Sequence, residues 1–209
     1  MNGHMHDTFV QCVSEFMDAF QQPYLKAGVF GLQNFPSEDV IKARMAMLLE
    51  EMDELEEAER IQSDVGILDA IVDIMYVMYG GALECGVEQS DIGDDFRRPT
   101  FKRPAGDEAF HYSYVIRHVS GIVRPLIELF GQELFYKAFL EVHRSNMSKI
   151  WSCKPFVQSA EVVITRANGG WIMKRNGKVV KPPTYSKADL AKILEESGYR
   201  YRKKILALF

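Results

Sequence analysis

The sequence predicts an all-α helical bundle with a small β-hairpin appendage near the C-terminus. Three observations predict it. Apolar residues recur at helical spacing through most of the first 150 positions. Two long helical patterns meet across only a few residues near Gln62, which makes an antiparallel hairpin. After Trp151 the period changes to β-branched runs separated by "NGG" and "NG", which are turn signals. The expected division is a helical domain over 1–150, carrying an insertion at about 88–130, and a hairpin-and-helix appendage over 151–209 that packs on it.

The elements follow in chain order. "DTFVQCVSEFMDAFQQP" places Phe9, Val10, Val13, Phe16, Met17 and Phe20 on a helix that Pro23 ends. "GLQNFPSEDV" is a loop whose Ser37 is a good N-cap, with acids in the first turn after it. A long helix runs from about Glu38 to about Ile61. Ser63 or Asp64 caps a second, which runs to about Cys85 with Gly86 as its stop. From Val87 to Pro104 the chain reads as loop. Helical patterning returns at about Glu108–Leu129 and about Gln132–His143. "AEVVITRANGGWIMKRNGKVVKPPTY" gives two or three strands, "SKADLAKILEESG" a capped helix, and "YRYRKKILALF" a basic, then apolar, tail.

Composition bounds the function. The chain has 209 residues, 47% hydrophobic and 26% charged, enough to bury a real core. A net charge of −4 gives no sign of a nucleic-acid partner. Cys12, Cys85 and Cys153 form no CxxC pair and read as reduced thiols, so a cytoplasmic protein is expected. No apolar run is read as reaching transmembrane length, and no membrane association is expected. The opening "MNGHMH" can include a cloning scar, and its two histidines are given no weight. The aromatic and basic "FRRPTFKRP" (Phe96–Pro104) reads as a solvated loop.

The acids carry the chemistry. Glu50, Glu51, Asp53, Glu54, Glu56, Glu57 and Glu59 fall within ten residues. With Glu50 at zero, Glu54 lies near ~40° and Glu51 near ~100° around the helix, at the rim of the apolar stripe. Asp53, Glu56 and Glu59 read as a solvated face. The next helix is apolar almost all round, yet carries Asp69 and Asp73 on one stripe, ~40° apart. A carboxylate taken into an apolar bundle is costly unless it is paired or holds a metal. Lys42, Arg44 and Arg60, near the ends of the facing helix, are its only cations. A hard divalent cation is the natural partner, and all-oxygen ligation suits Mg²⁺ or Mn²⁺. The bland alternative is a hydrogen-bonded pair of core acids.

Glu50-Glu51-x-x-Glu54, a spacer and an Asp-bearing apolar helix resemble the EExxE…ExxD signature of the all-α nucleoside triphosphate pyrophosphohydrolases of the MazG-like type. "FPSEDVIKARMAMLLEEMDELEEA", "EVHRSNMSK" (Glu141–Lys149) and "NGKVVKPPTY" are similar to the phosphoribosyl-ATP-pyrophosphohydrolase-like subgroup common in bacteria and phages. The chain departs from the pattern at Asp69-x-x-x-Asp73, where Ala70 occupies the usual acid's slot. The stretch at about 88–130 also looks like an insertion into a shorter connection.

The resemblance implies Mg²⁺-dependent hydrolysis of a nucleoside triphosphate between the α and β phosphates, giving the monophosphate and pyrophosphate, with Mn²⁺ as a substitute. It implies a homodimer or homotetramer. Two-metal chemistry suits such an anhydride. The expected metal ligands are Glu51, Glu54, Asp69 and Asp73, and the expected catalytic acids are Glu50, Glu51 and Glu54, one of which can orient the attacking water. Substrate contacts are expected from Arg144, Asn146 and Lys149 at a helix end, where charge, donors and free backbone groups coincide, and from Lys178 and Lys181. The bland alternatives are a solvated helix C-terminus and a surface turn. His143 reads as structural. The competing class is a non-catalytic nucleotide-binding or dimerisation module derived from the same fold.

Overall fold

A computed structural model describes residues 3–22, 37–85, 107–157, 159–176 and 178–199. Its elements are helices α1 (Gly3–Ala19), α2 (Glu38–Arg60), α3 (Asp64–Cys85), α4 (Asp107–Phe130) and α5 (Gln132–Met147), strands β1 (Val162–Ala167), β2 (Gly170–Arg175) and β3 (Lys178–Val179), and helix α6 (Leu190–Ser197). The all-α reading with a small C-terminal sheet therefore holds. Pro23, the loop at 87–104 with its Phe96–Pro104 stretch, and the tail from residue 200 lie outside the described residues.

α3 is the axis of the bundle, and α1, α2, α4, α5 and α6 all pack on it. Ile67, Leu68, Ile71, Val72, Ile74, Met78 and Tyr79 are buried around its circumference. Each such side chain contributes about 1.5–3 kcal/mol relative to exposure. By length and composition the stretch Asp64–Glu84 is apolar enough to cross a membrane, contrary to the reading that no run reaches that length. Its apolar surface is instead covered by the chain's own helices, with 72% of the most apolar window buried.

The α2–α3 hairpin is antiparallel and closes at both ends. Ser63 is the cap of α3, its Oγ accepting from the Gly66 amide at 3.0 Å. A Cβ on Gly66 would lie 3.0 Å from the Ala58 Cβ, so the helices approach closely at the turn. At the open end Arg44 donates to Glu84 at 2.5 Å, and both are nearly buried. Ser37 stands at the N-cap of α2, but only its backbone carbonyl serves, accepting from Val40 and Ile41.

α1 starts earlier than the apolar spacing implied. Met5 is buried, and the His6 Nδ1 lies 3.0 Å from the Tyr79 hydroxyl. The opening residues therefore belong to the bundle, because their helical register meets α3. Phe9 stacks on Phe139 at 3.9 Å, which locks α1 to α5.

The sheet is antiparallel in the order β1-β2-β3, with Val162 opposite Arg175 and Ala167 opposite Gly170. Ala167 and Ile172 form a second small core with Ala19, the last residue of α1, and Phe20 just after it. Trp151 and Trp171 exchange backbone hydrogen bonds of 2.8 Å, which ties the end of α5 to β2. α6 is capped by Asp189, whose side chain accepts from the Lys192 amide, and it ends at Gly198 with φ +65. Leu190 and Leu194 return it to the main core.

Only glycine fits beside the Trp bridge. A Cβ at Gly170 would fall 2.2 Å from the Trp151 carbonyl oxygen and 2.8 Å from Ile150 Cγ2. Gly170→Ala is expected to break the bridge and cost about 1–3 kcal/mol, a fall in Tm of about 2–4 °C for each kcal/mol. Thermal unfolding followed by circular dichroism measures it, and an unchanged Tm would show that the bridge contributes nothing.

Candidate active site

The hairpin brings the predicted acids together from two helices. Glu51 is half-buried on α2 and Asp73 half-buried on α3. Burial pushes the Glu51 carboxyl up to about 8, helped by the negative charges of Asp73, Glu54, Glu50 and Asp69. Burial likewise pushes Asp73 up to about 7, with Asp69 and Glu54 adding to it and Lys149 opposing. Asp69 is raised by burial and pulled back by Lys187. All five expected acids thus share one field.

The register answers the Ala70 departure. Ala70 is 3% exposed and belongs to the core, whereas Asp69, one residue earlier, meets the field of Glu51. The three cations on α2 are committed elsewhere, Lys42 with Glu38, Arg44 with Glu84 and Arg60 with Glu57. Among the described residues, no three His, Cys, Asp or Glu side chains close into a ready-made metal-holding group.

The predicted basic residues separate into three groups. Lys149 faces the acids: its ammonium donates to Asn146 Oδ1 at 2.6 Å and acts on Asp73 and Glu51. Burial holds its pKa below the usual lysine range. Asn146 also bonds the Tyr76 hydroxyl, which lies 3.0 Å from His143 Nδ1. His143 in turn approaches Glu15 at 3.4 Å, which gives it the structural place expected.

Lys181 lies 4.6 Å from the Tyr185 ring centroid, and its charge reaches Lys149. Arg144 points elsewhere. Its guanidinium is bidentate to Glu141, at 2.8 and 2.7 Å, and donates to the Lys187 carbonyl at 3.1 Å. Lys178 sits on β3 opposite Arg175, and among the described residues no hydrogen bond or ion pair joins it to the acids.

Sequence reasoning missed Lys187 and Tyr185. The one signal was that "KPPTYSK", at the junction of the expected strands and the capped helix, carries cations in a stretch with neither helical nor strand period. Cys12 and Cys153 are free thiols; burial pushes Cys12 up to about 11.

Residues 13–100 match the family model of phosphoribosyl-ATP pyrophosphohydrolase. The matched stretch holds the acids of α2 and α3, and the family it resembles is one of the MazG-like all-α NTP pyrophosphohydrolases. The match points to a pyrophosphohydrolase acting on nucleotide substrates. No curated protein and no solved structure matches the chain at a significant level.

The raised carboxyls set a pH dependence for the metal-free protein. Asp73 has an ordinary value of 3.8 and a folded value of about 7, so the penalty for its charge is absent at low pH and complete above pH 7. Asp73→Asn removes that penalty. In chelator at pH 8 it is expected to raise Tm by about 3–6 °C, allowing for solvent screening, with the gain gone near pH 4. Differential scanning fluorimetry across this range tests it; an equal gain at both ends would remove the electrostatic cause.

Proposed function

We propose that the chain is a divalent-cation-dependent nucleoside triphosphate pyrophosphohydrolase, cleaving between the α and β phosphates to give the monophosphate and pyrophosphate. One observation carries the reading. Glu50, Glu51, Glu54, Asp69 and Asp73 are gathered where burial, and then their mutual negative charge, raises Glu51 and Asp73, and the described cations acting on them are Lys149 and Lys187. An all-oxygen donor set with uncompensated charge fits Mg²⁺, with Mn²⁺ as a substitute.

Glu51, Glu54, Asp69 and Asp73 would hold the metal. When bound, it would neutralise phosphate charge and help to activate water. Glu50, or whichever of Glu51 and Glu54 is left outside the coordination sphere, orients the attacking water. Lys149 is held by Asn146 and presents its charge to the phosphates, and Lys181 adds a second charge beside it.

The non-catalytic reading rests on Ala70. It is weakened because Asp69 meets the α2 acids from the adjacent position. Free Cys12 and Cys153 fit a cytoplasmic protein.

Glu54→Gln and Asp73→Asn are each expected to lower Mg²⁺-dependent pyrophosphate release by about 10²-fold or more, with circular dichroism unchanged. The assay takes a panel of NTPs and dNTPs. Near wild-type release by either variant would remove these acids from the site, and no release from the wild type would favour the binding module.

α3 is covered within one chain, with α4 of the insertion supplying part of the cover, so its burial needs no partner. An oligomer rests instead on the exposed Met47, Leu49, Ile61 and Val65 of the hairpin region. Light scattering at micromolar concentration is expected to give at least a dimer. A monomer would set the oligomer aside.

A further inference from the structure

The charges of the chain are segregated. Residues 151–181 hold six lysines and arginines against one acid, Glu161, in a chain whose net charge is −4. The total therefore conceals a positive segment beside an acidic remainder. Pairing differs as well. On the helices Lys42, Arg60, Arg124, Lys137, Arg144 and Lys192 each meet a carboxylate of their own helix. Among the described residues no carboxylate pairs with Lys154, Arg166, Lys174, Arg175 or Lys178.

The strand register gathers most of these cations on one face. Residues paired across antiparallel strands share a face, and so do alternate residues along one strand. Arg166 stands opposite Trp171, and Lys178 stands opposite Arg175. Arg166, Trp171, Arg175 and Lys178 therefore lie on the face away from Ala167 and Ile172, the pair that packs on Ala19 and Phe20. Lys154 joins them from the segment after Trp151. Its ammonium and the Arg166 guanidinium each lie 5.3 Å from the Trp171 ring centroid. From Trp171 to Arg175 the strand runs about 13 Å, so the cations form a row rather than a point. Two residues past Lys154, beyond the buried Pro155, Phe156 is 90% exposed.

A row of cations without carboxylates suits a chain of anions. An exposed aromatic ring beside it suits a flat apolar partner. Single-stranded nucleic acid supplies both, as successive phosphates and as bases with free faces. A duplex keeps its bases stacked and offers Phe156 nothing. A membrane surface would need the exposed apolar side chains on one side, yet Val163 stands opposite Lys174 on the other face of the sheet.

We propose that the outer face of the small sheet is a docking surface for single-stranded nucleic acid, with Lys154, Arg166 and Arg175 along the phosphates and Phe156 stacked on a base. Trp171 is a positioning residue whose ring holds Lys154 and Arg166 in the row. The inference does not depend on the pyrophosphohydrolase reading, since none of these residues belongs to the acid site.

Fluorescence anisotropy of the full chain, in chelator, with labelled oligothymidylate and oligouridylate of about 15 nucleotides tests it. Binding is expected to weaken steeply with salt. Arg166→Ala and Arg175→Ala should each lower affinity, and each should reduce the slope of log affinity against log salt by about 0.7, one phosphate contact on a single strand. Phe156→Ala should weaken binding about five- to a hundredfold with the slope unchanged, and Phe156→Trp should keep the affinity. Trp171→Leu should lose part of the salt slope, because the cations are no longer held, whereas Trp171→Phe should retain it. Glu54→Gln should bind as the wild type does.

Either oligonucleotide bound in this way upholds the surface, and a preference between them tells which sugar it takes. Wild-type affinity of Phe156→Ala overturns it. So does a duplex of the same length binding as tightly as the single strand, or the absence of oligonucleotide binding by the wild type. Loss of binding in Glu54→Gln would move the oligonucleotide to the acids and overturn the surface too. Phe156-dependent binding of phosphatidylserine vesicles in place of either oligonucleotide would overturn it in favour of a membrane.

Discussion

The structure depends on one costly arrangement: Asp69 and Asp73 stand on the most apolar helix of the chain. α3 is surrounded by other helices, and burial there raises both carboxyls. An isolated carboxylate in such a place would shed its charge. Here Glu51 and Glu54 are brought alongside instead, which concentrates negative charge. That choice destabilises the metal-free fold, and the surrounding core offsets it through Phe9 and Tyr76 stacked on Phe139, with Tyr79 edge-on to it. A site that opposes its own folding while the scaffold around it is well packed is what function leaves behind.

The far end of the chain completes the site. The small sheet rests on α1 through Phe20 and Ile172, and the Trp151–Trp171 bridge fixes its distance from α5. α6 then returns to the main core through Leu190 and Leu194. Between these two anchors the chain from 181 to 189 has little freedom. Pro182 and Pro183 stiffen it, and α5 supplies the hydrogen bonds it lacks. The end of α5 and the turn after it therefore do two jobs: Lys149, held by Asn146, acts on Asp73 and Glu51, while Arg144, Ser145 and Ser148 hold the 181–189 segment.

Much of this was legible in the residues. Helical period and capping placed α2 and α3 nearly to the residue, because those signals are local and Ser63 has no competing role. The NGG and NG turns announced the sheet. The acids were legible because a charge on an all-round apolar helix contradicts its surroundings. The α1 start was not, since Met5 and His6 have meaning only against Tyr79, 73 residues away for His6. The reach of α5 to Met147, past the expected His143, was hidden because Ser145 and Asn146 are weak helix formers that tertiary contacts hold.

The sequence by itself determined the class of fold, the acid row and the presence of cations after it. Each is a matter of residue type at a fixed spacing along one helix, and helix geometry carries that spacing into space. Only the tertiary structure decided which cations act on the acids. It turned Lys149 inward and tied Arg144 to Glu141. It left Lys178 on the sheet and brought Lys187 to Asp69. The reason is physical: where a long basic side chain ends depends on the backbone and carboxylates folded against it, and those come from segments that spacing along the chain cannot relate.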